Sequence, residues 1–199
     1  MTSPAITAAA RAQQEPVIGV ITLAFSTDPV ARWLYPDPGQ YLAHAPTFMT
    51  AFGGAALDHA TAYCVEGYLG AALWLPPGAH ADHDALEALF ERTIPEAQRP
   101  ELNEVLDQMG GSHPSEPHWF LPLIGIDPSR QNQGLGSLLM QHAHKMFDRD
   151  GTLAYLDSSN PKNIPFYQRH GYEVLRTIRV GSCPPISPML RKPRPKRTG

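Results

Sequence analysis

Two cysteines, Cys64 and Cys183, are all that this 199-residue chain offers, too few for a disulfide framework or a zinc quartet. A reducing, cytoplasmic setting is the expectation that follows. There is also no run of ~20 apolar residues of the kind a membrane-spanning helix needs, so no membrane partner is expected. Charged residues make up only 18% and apolar ones 42%, which excludes a disordered or highly charged chain and suits one domain with a sizeable core. Met1–Gln14 has a single Arg among alanines and no strong apolar segment. Residues 1–14 therefore read as a flexible extension rather than a signal peptide.

What charge there is falls unevenly. The total of −3 combines −3 over residues 1–81, −7 over 82–116, +2 over 117–190 and +5 over 191–199. The last stretch has five bases, two prolines and no acid after residue 190, and residues 193–199 read as a disordered basic tail. Such a tail would bind nucleic acid only non-specifically and in a salt-sensitive way. No specific nucleic-acid partner is expected, and a solubilising end is the simpler reading.

Pro16–Phe25 is dense in β-branched and apolar residues and reads as the first strand. Asp28-Pro29 opens a short helix, with Asp as N-cap and Pro at N1. A second helix runs from about Gln40 to Phe52. His59–Val65 and Tyr68–Trp74 flank Glu66-Gly67 as a hairpin. Residues 83–109 turn helical on the spacing of Leu86, Leu89 and Phe90 and then Leu102, Val105, Leu106 and Met109, with a break at Pro95. This acidic pair, about 82–116, is too short for its own core and is expected to pack as an insertion on the main domain, residues 15–192.

His118–Ile126 is a strand, and Pro122 within it marks an edge or a bulge. Gly134–Phe147 is the strongest helix, ended by Gly151. Thr152–Leu156, a short helix at about Lys162–His170, the strand Tyr172–Val180 and an edge strand at Pro188–Leu190 complete the reading.

The segment Gln131-Asn132-Gln133-Gly134-Leu135-Gly136 lies between a strand and the start of that helix. Outward-pointing amides and two glycines there could cradle a phosphate without a basic side chain. The same glycines could merely shape a turn. A Rossmann dinucleotide site would use them too, with Asp157 about 20 residues on, but Leu139 stands where its third glycine belongs.

Ile124-x-Ile126-x-Pro128 followed by Gln131-x-x-Gly134-x-Gly136 resembles motif A of the GNAT acyl-CoA-dependent acetyltransferases. Asn160-Pro-Lys-Asn163-Ile-Pro-Phe166-Tyr167-Gln-Arg-His-Gly171-Tyr172 resembles their motif B, in the family's order and spacing. The layout of Glu116-Pro-His-Trp-Phe120 with the acidic insertion is loosely similar to the antibiotic-acetylating branch, the puromycin-acetylating enzymes included.

The resemblance implies a mixed α/β domain, a twisted and mostly antiparallel sheet flanked by helices. It implies acetyl-CoA as acyl donor and no metal. Pantetheine would pair with the backbone of Ile124 and Ile126, and the pyrophosphate would sit on the amides of Gln131, Asn132, Gln133, Gly134, Leu135, Gly136 and Ser137. Asn132 replaces a common glycine but tolerates the left-handed conformation. Gln133 replaces a common base, whose charge Arg130 can supply. Asn160 and Asn163 are either cofactor contacts or plain N-caps, and Phe166 packs along the cofactor or in the core.

The resemblance also places Tyr167 near the thioester sulfur as general acid. A phenol (~10) protonates a thiolate (~8.5) slightly uphill in water, and desolvation of the thiolate closes that gap. His118 is the candidate base, with Glu116 and His113 beside it. Trp33, Tyr35, Phe48, Trp74 and Trp119 are either acceptor-pocket walls or core. His80 and His83 alone are a weak metal signal. No cysteine lies in either motif, which favours direct attack in a ternary complex over a covalent acyl-enzyme. The acceptor is expected to be a small, cationic primary amine, given the −7 insertion. The alternatives are a protein or peptide amine, or a CoA-binding module without turnover. The assembly is read as monomer or homodimer.

Overall fold

The computed structural model describes residues 4–194. Seven strands form one sheet in the order β1-β2-β3-β4-β5-β7-β6: β1 Ile6–Ala9, β2 Ala62–Val65, β3 Gly70–Leu75, β4 His118–Ile126, β5 Leu153–Ser158, β6 Glu173–Val174 and β7 Ser187–Arg191. Every pairing is antiparallel except β4–β5. The helices are α1 Gln14–Ala24, α2 Pro29–Leu34, α3 Pro38–Gly53, α4 Ala55–Asp58, α5 His83–Thr93, α6 Arg99–Gly110, α7 Leu135–Asp150 and α8 Ile164–Arg169. One core lies between the sheet and α7, gathering Trp74, Trp119, Leu139, Phe147 and Leu156. A second lies under α1, α3 and α4 on the other side of the sheet.

Several local expectations hold. Asp28 caps α2 through Val30 and Ala31 N–H, and Pro29 is its first residue. The β2–β3 turn places Gly67 at φ 72°, which glycine adopts without strain. Between Leu73↔Leu123 and Leu75↔Phe120 the register slips, so β4 has an extra residue there: Pro122 sits in a bulge, where the ladder needs no N–H from it. The acidic segment is two helices whose Leu86, Phe90 and Leu102 pack with Ala31, Tyr35, Tyr41 and Ala45 of α2 and α3.

Other expectations are overturned. Residues 16–25 are helix α1, not a strand. Val17, Ile18, Val20 and Ile21 are buried while Gly19 and Leu23 are exposed, the spacing of one helical face. Gly125 lets α1 approach β4 closely, since a Cβ there would meet Ala24 Cβ. Packing overrides the β-branched propensity. Residues 6–9, read as part of a flexible extension, pair with β2 as an edge strand. The strand expected over 172–180 shrinks to Glu173–Val174 and an isolated Ile178–Ile186 bridge. Beyond it the chain turns away to bury Ile178, Val180, Cys183 and Ile186 against Val105 of α6, and Glu101 accepts the Cys183 N–H at 2.9 Å. The C-terminal strand is not at the edge: β7 lies between β5 and β6. Of the basic tail, Arg194 donates its N–H to Asp148 at 2.8 Å, and residues 195–199 lie outside the described residues.

Candidate active site

Strands β4 and β5 run parallel and pair only from His118↔Leu153 to Leu121↔Leu156. After the bulge, β4 continues to Ile126 with β3 alone as neighbour. Asp127 N–H donates to Leu69 O at 2.9 Å, so by the alternation of an antiparallel ladder Ile124 and Ile126 turn their N–H and C=O away from β3. Both therefore face the gap that β5 leaves open. Among the described residues, a long contact from Gln131 Nε2 reaches Ile126 O, at 3.5 Å.

The loop after β4 leads into the N-terminus of α7. Asn132 has φ 61° and Gly134 φ 82°, the left-handed conformations that Asn and Gly tolerate best. Residues 130–134 are exposed, and a Cβ on Gly134 would meet nothing within 4 Å. Open space thus lies over the first amides of a 16-residue helix, where the partial positive charge is concentrated. Phe166 packs on Gly136, where a Cβ would approach its Cζ to 3.3 Å. His170, which the sequence reading did not single out, faces Ser137 Oγ through Nε2 at 3.0 Å. Asn160 uses its side chain to cap Lys162 N–H at 3.1 Å; Asn163 precedes α8 without a side-chain cap bond.

Tyr167 is buried, 7% exposed. Burial first, and then the charge of Asp28, push its phenol well above the ordinary range, so its proton stays on oxygen at neutral pH. Asp28 is held by Ser159 Oγ, which donates to Oδ2 at 2.7 Å. Desolvation raises its pKa despite that bond.

An apolar cavity of ≈ 100 Å³ opens against Phe120, Leu121, Pro122 and Leu123, the bulged part of β4. Asp28, Ser159 and Asp157 border it, and Phe48, Trp33 and Phe90 also line it. Of the aromatics singled out in the sequence, Trp33 and Phe48 line this cavity. Trp74 and Trp119 lie instead in the core under α7, and Tyr35 is buried among α2, α3 and α5. A wider cleft of ≈ 1100 Å³ shares Phe120 and Asp157 with the cavity and carries Glu87, Glu91 and Glu116. The insertion's α5 and α6 form one of its walls.

His118 has both ring nitrogens engaged. Nδ1 donates to Glu116 O at 2.8 Å, and Nε2 lies 2.9 Å from His113 Nδ1. Burial, and then the neighbouring His118 and His80, push His113 down to about 4. It is neutral at pH 7. His80 borders the cleft, as does His83, and no group of three or more potential metal ligands exists among the described residues.

Asp157 and Ser159 are the site residues that sequence reasoning missed. The signal was present for Asp157: in Leu153-Ala-Tyr-Leu-Asp157 the apolar Ala154 and Leu156 alternate with Tyr155 and an acid on a face that the fold also covers. Tyr155 donates its hydroxyl to Asp157 Oδ1 at 2.8 Å. Asp157 Oδ2 is buried with no hydrogen-bond partner among the described residues. Burial, only partly offset by that bond and by Arg176, pushes the carboxyl up to about 7.

Comparison with known proteins bears on the fold and on residues 103–174. Residues 103–174 match the acetyltransferase (GNAT) domain family. An uncharacterized N-acetyltransferase of Schizosaccharomyces pombe is 24% identical over 144 residues, 65% of this chain and 58% of that protein. The chain thus spans a little over half the length of this curated relative. A Corynebacterium glutamicum structure described as histone acetyltransferase HPA2 and related acetyltransferase superposes with TM-score 0.67 at 21% identity, over 99% of this chain and all of that one. An agmatine N-acetyltransferase superposes with TM-score 0.68 at 14% identity, over 96% of this chain and all of that one. Residues 103–174 are thus similar to the acetyltransferase (GNAT) domain family, and the mixed α/β architecture is the fold of these acetyltransferase structures.

Proposed function

We propose that the protein transfers an acetyl group from acetyl-CoA to a small primary amine by direct attack in a ternary complex. The observation that carries this reading is the position of the apolar cavity. It abuts the β4 bulge, where the strands part, and opens into the acid-bearing cleft. A donor lying in the strand gap and an acceptor in the cleft would meet there.

The pyrophosphate would rest on the amides of Gln131 to Ser137 and the pantetheine along Ile124 and Ile126. Arg130 is exposed at the lip of the loop and can supply the charge that Gln133 does not. Phe166 would flank the cofactor over Gly136. Tyr167 would protonate the leaving thiolate. Its raised pKa makes it a weaker acid, but a thiolate in the same dry surroundings is a stronger base.

The acceptor reaches the thioester as an amine with a small apolar body. The cavity walls suit such a body, and Glu87, Glu91 and Glu116 favour a cation on approach. The similarity to an agmatine N-acetyltransferase is in keeping with a small amine. The width of the cleft favours a second reading, a peptide or protein amine as acceptor. We place the enzyme in the cytoplasm, as monomer or homodimer. An acceptor screen with CoA release as readout, covering arylalkylamines, polyamines, amino acids, aminonucleosides and a peptide N-terminus, tests the assignment. Release with a small amine is the expected result, and no release with any acceptor sinks it.

A further inference from the structure

We infer that Asp157 takes the proton from the acceptor's ammonium nitrogen, with Tyr155 holding its carboxylate in place. The inference rests on the acetyl-transfer reading above.

Position is the first argument. Leu156 is the last β5 residue paired with β4, so Asp157 stands where the strands part. Its side chain shares with Tyr155 the face opposite Leu156, turned from the α7 core toward the acceptor side. It borders both the inner cavity and the outer cleft.

Valence is the second. One oxygen receives the Tyr155 hydroxyl, while the other is buried with no hydrogen-bond partner among the described residues. A buried carboxylate oxygen without a donor is costly unless something supplies one. An ammonium N–H in the cavity would. His118, by contrast, is engaged at both nitrogens.

Proton affinity is the third. An alkylamine of pKa ~10.4 is neutral in only about one molecule in 2,500 at pH 7. An ordinary carboxylate is some six decades too weak to take its proton, and a carboxyl at about 7 removes roughly half of that gap. The groups that face Asp157 are Tyr155 on its own strand, Asp28 from the start of α2, His113 and His118 from the cleft, and Arg176 beyond β6.

The step balances. One ammonium proton passes to Asp157 Oδ2, and the freed lone pair forms the C–N bond at the thioester carbonyl. Collapse breaks the C–S bond, and Tyr167 protonates the thiolate. The nitrogen's remaining extra proton restores Tyr167, and Asp157 releases its proton to solvent. The products are the amide, CoA thiol and one proton.

The test uses 2-phenylethylamine and its β,β-difluoro analogue, whose nitrogen is largely neutral at pH 8. In Asp157→Asn the turnover of the first should fall at least 100-fold and lose its rise through neutral pH. The neutral analogue should lose less than tenfold, and acetyl-CoA affinity should stay within about twofold. Tyr155→Phe, which removes a bond that lowers the Asp157 pKa, should move the rise to higher pH. Equal losses for both amines, or a pH profile unchanged in both variants, would overturn the assignment. If the unaltered protein acetylates neither amine nor any acceptor of the screen, the parent reading fails instead.

Discussion

Replacing Asp157 by Asn should stabilise the protein at alkaline pH and do little in acid. In the folded protein the carboxyl is held at about 7 against an ordinary 3.8. The folded state therefore binds the proton more tightly than the unfolded one. Its contribution to stability is fully present below about pH 4 and is lost as pH rises through 7. At about 1.4 kcal/mol for each tenfold change in proton affinity, the loss amounts to about 4 kcal/mol above neutrality. Asn keeps an oxygen for the Tyr155 hydroxyl but has no charge to bury. For a domain of this size each kcal/mol moves Tm by roughly 2–4 °C, so the variant should melt on the order of 10 °C above the unaltered protein at pH 8.5. Near pH 4.5 the gap should shrink toward that of any neutral substitution at the site. Scanning fluorimetry of both proteins in matched buffers from pH 4.5 to 8.5 measures it. A difference in Tm that does not change with pH would falsify the buried, uncompensated carboxylate. The opposed effects of one substitution, more stability and less turnover, are what a strained active-site group produces.

Two further substitutions probe the donor side. Gly134→Val puts a β-branched residue at φ 82° and fills the open space over the α7 amides. Acetyl-CoA affinity by calorimetry should drop at least tenfold, and normal binding would remove the pyrophosphate from this loop. Tyr167→Phe keeps the ring in its core and deletes the proton, so kcat should fall by about 10²-fold or more while acetyl-CoA KM stays within about twofold. Undiminished turnover would show that the thiolate leaves without it.

The parts of the fold that were legible in the sequence are those governed by local chemistry. Asp28-Pro29, Glu66-Gly67 and Gly151 mark ends and turns through φ preference and capping, which act within a few residues. The α7 helix was readable because its apolar period is long and unbroken. The misreadings arose where distant packing decides. Val17 to Ile21 carry strand propensity, yet Gly125, a hundred residues on, leaves room for a helix against β4. Likewise Tyr172–Val180 looks like a strand until Val105 and Glu101 of α6 offer the chain a different surface to cover.

The site divides along the same line. The proposed donor half could be read from the sequence because it would be made from contiguous backbone: the residues around Gly134 need only their own dihedrals and a following helix to present amides. The acceptor half has no such continuity. Asp157 is an acid one step beyond an apolar alternation, and in the sequence it reads as the ribose ligand of a different fold. Its carboxyl is lifted to about 7 by burial, beside a cavity that β4, α2 and the acidic insertion line together. Burial by three remote segments creates its proton affinity, and no motif around residue 157 encodes it. For this chain, then, the residue most exposed to misreading is the one whose chemistry depends most on tertiary structure. The same dependence makes it sensitive to the insertion: substitutions in α5 or α6 that open the cavity to water should lower the Asp157 pKa toward 3.8 and, with it, the pH at which turnover rises.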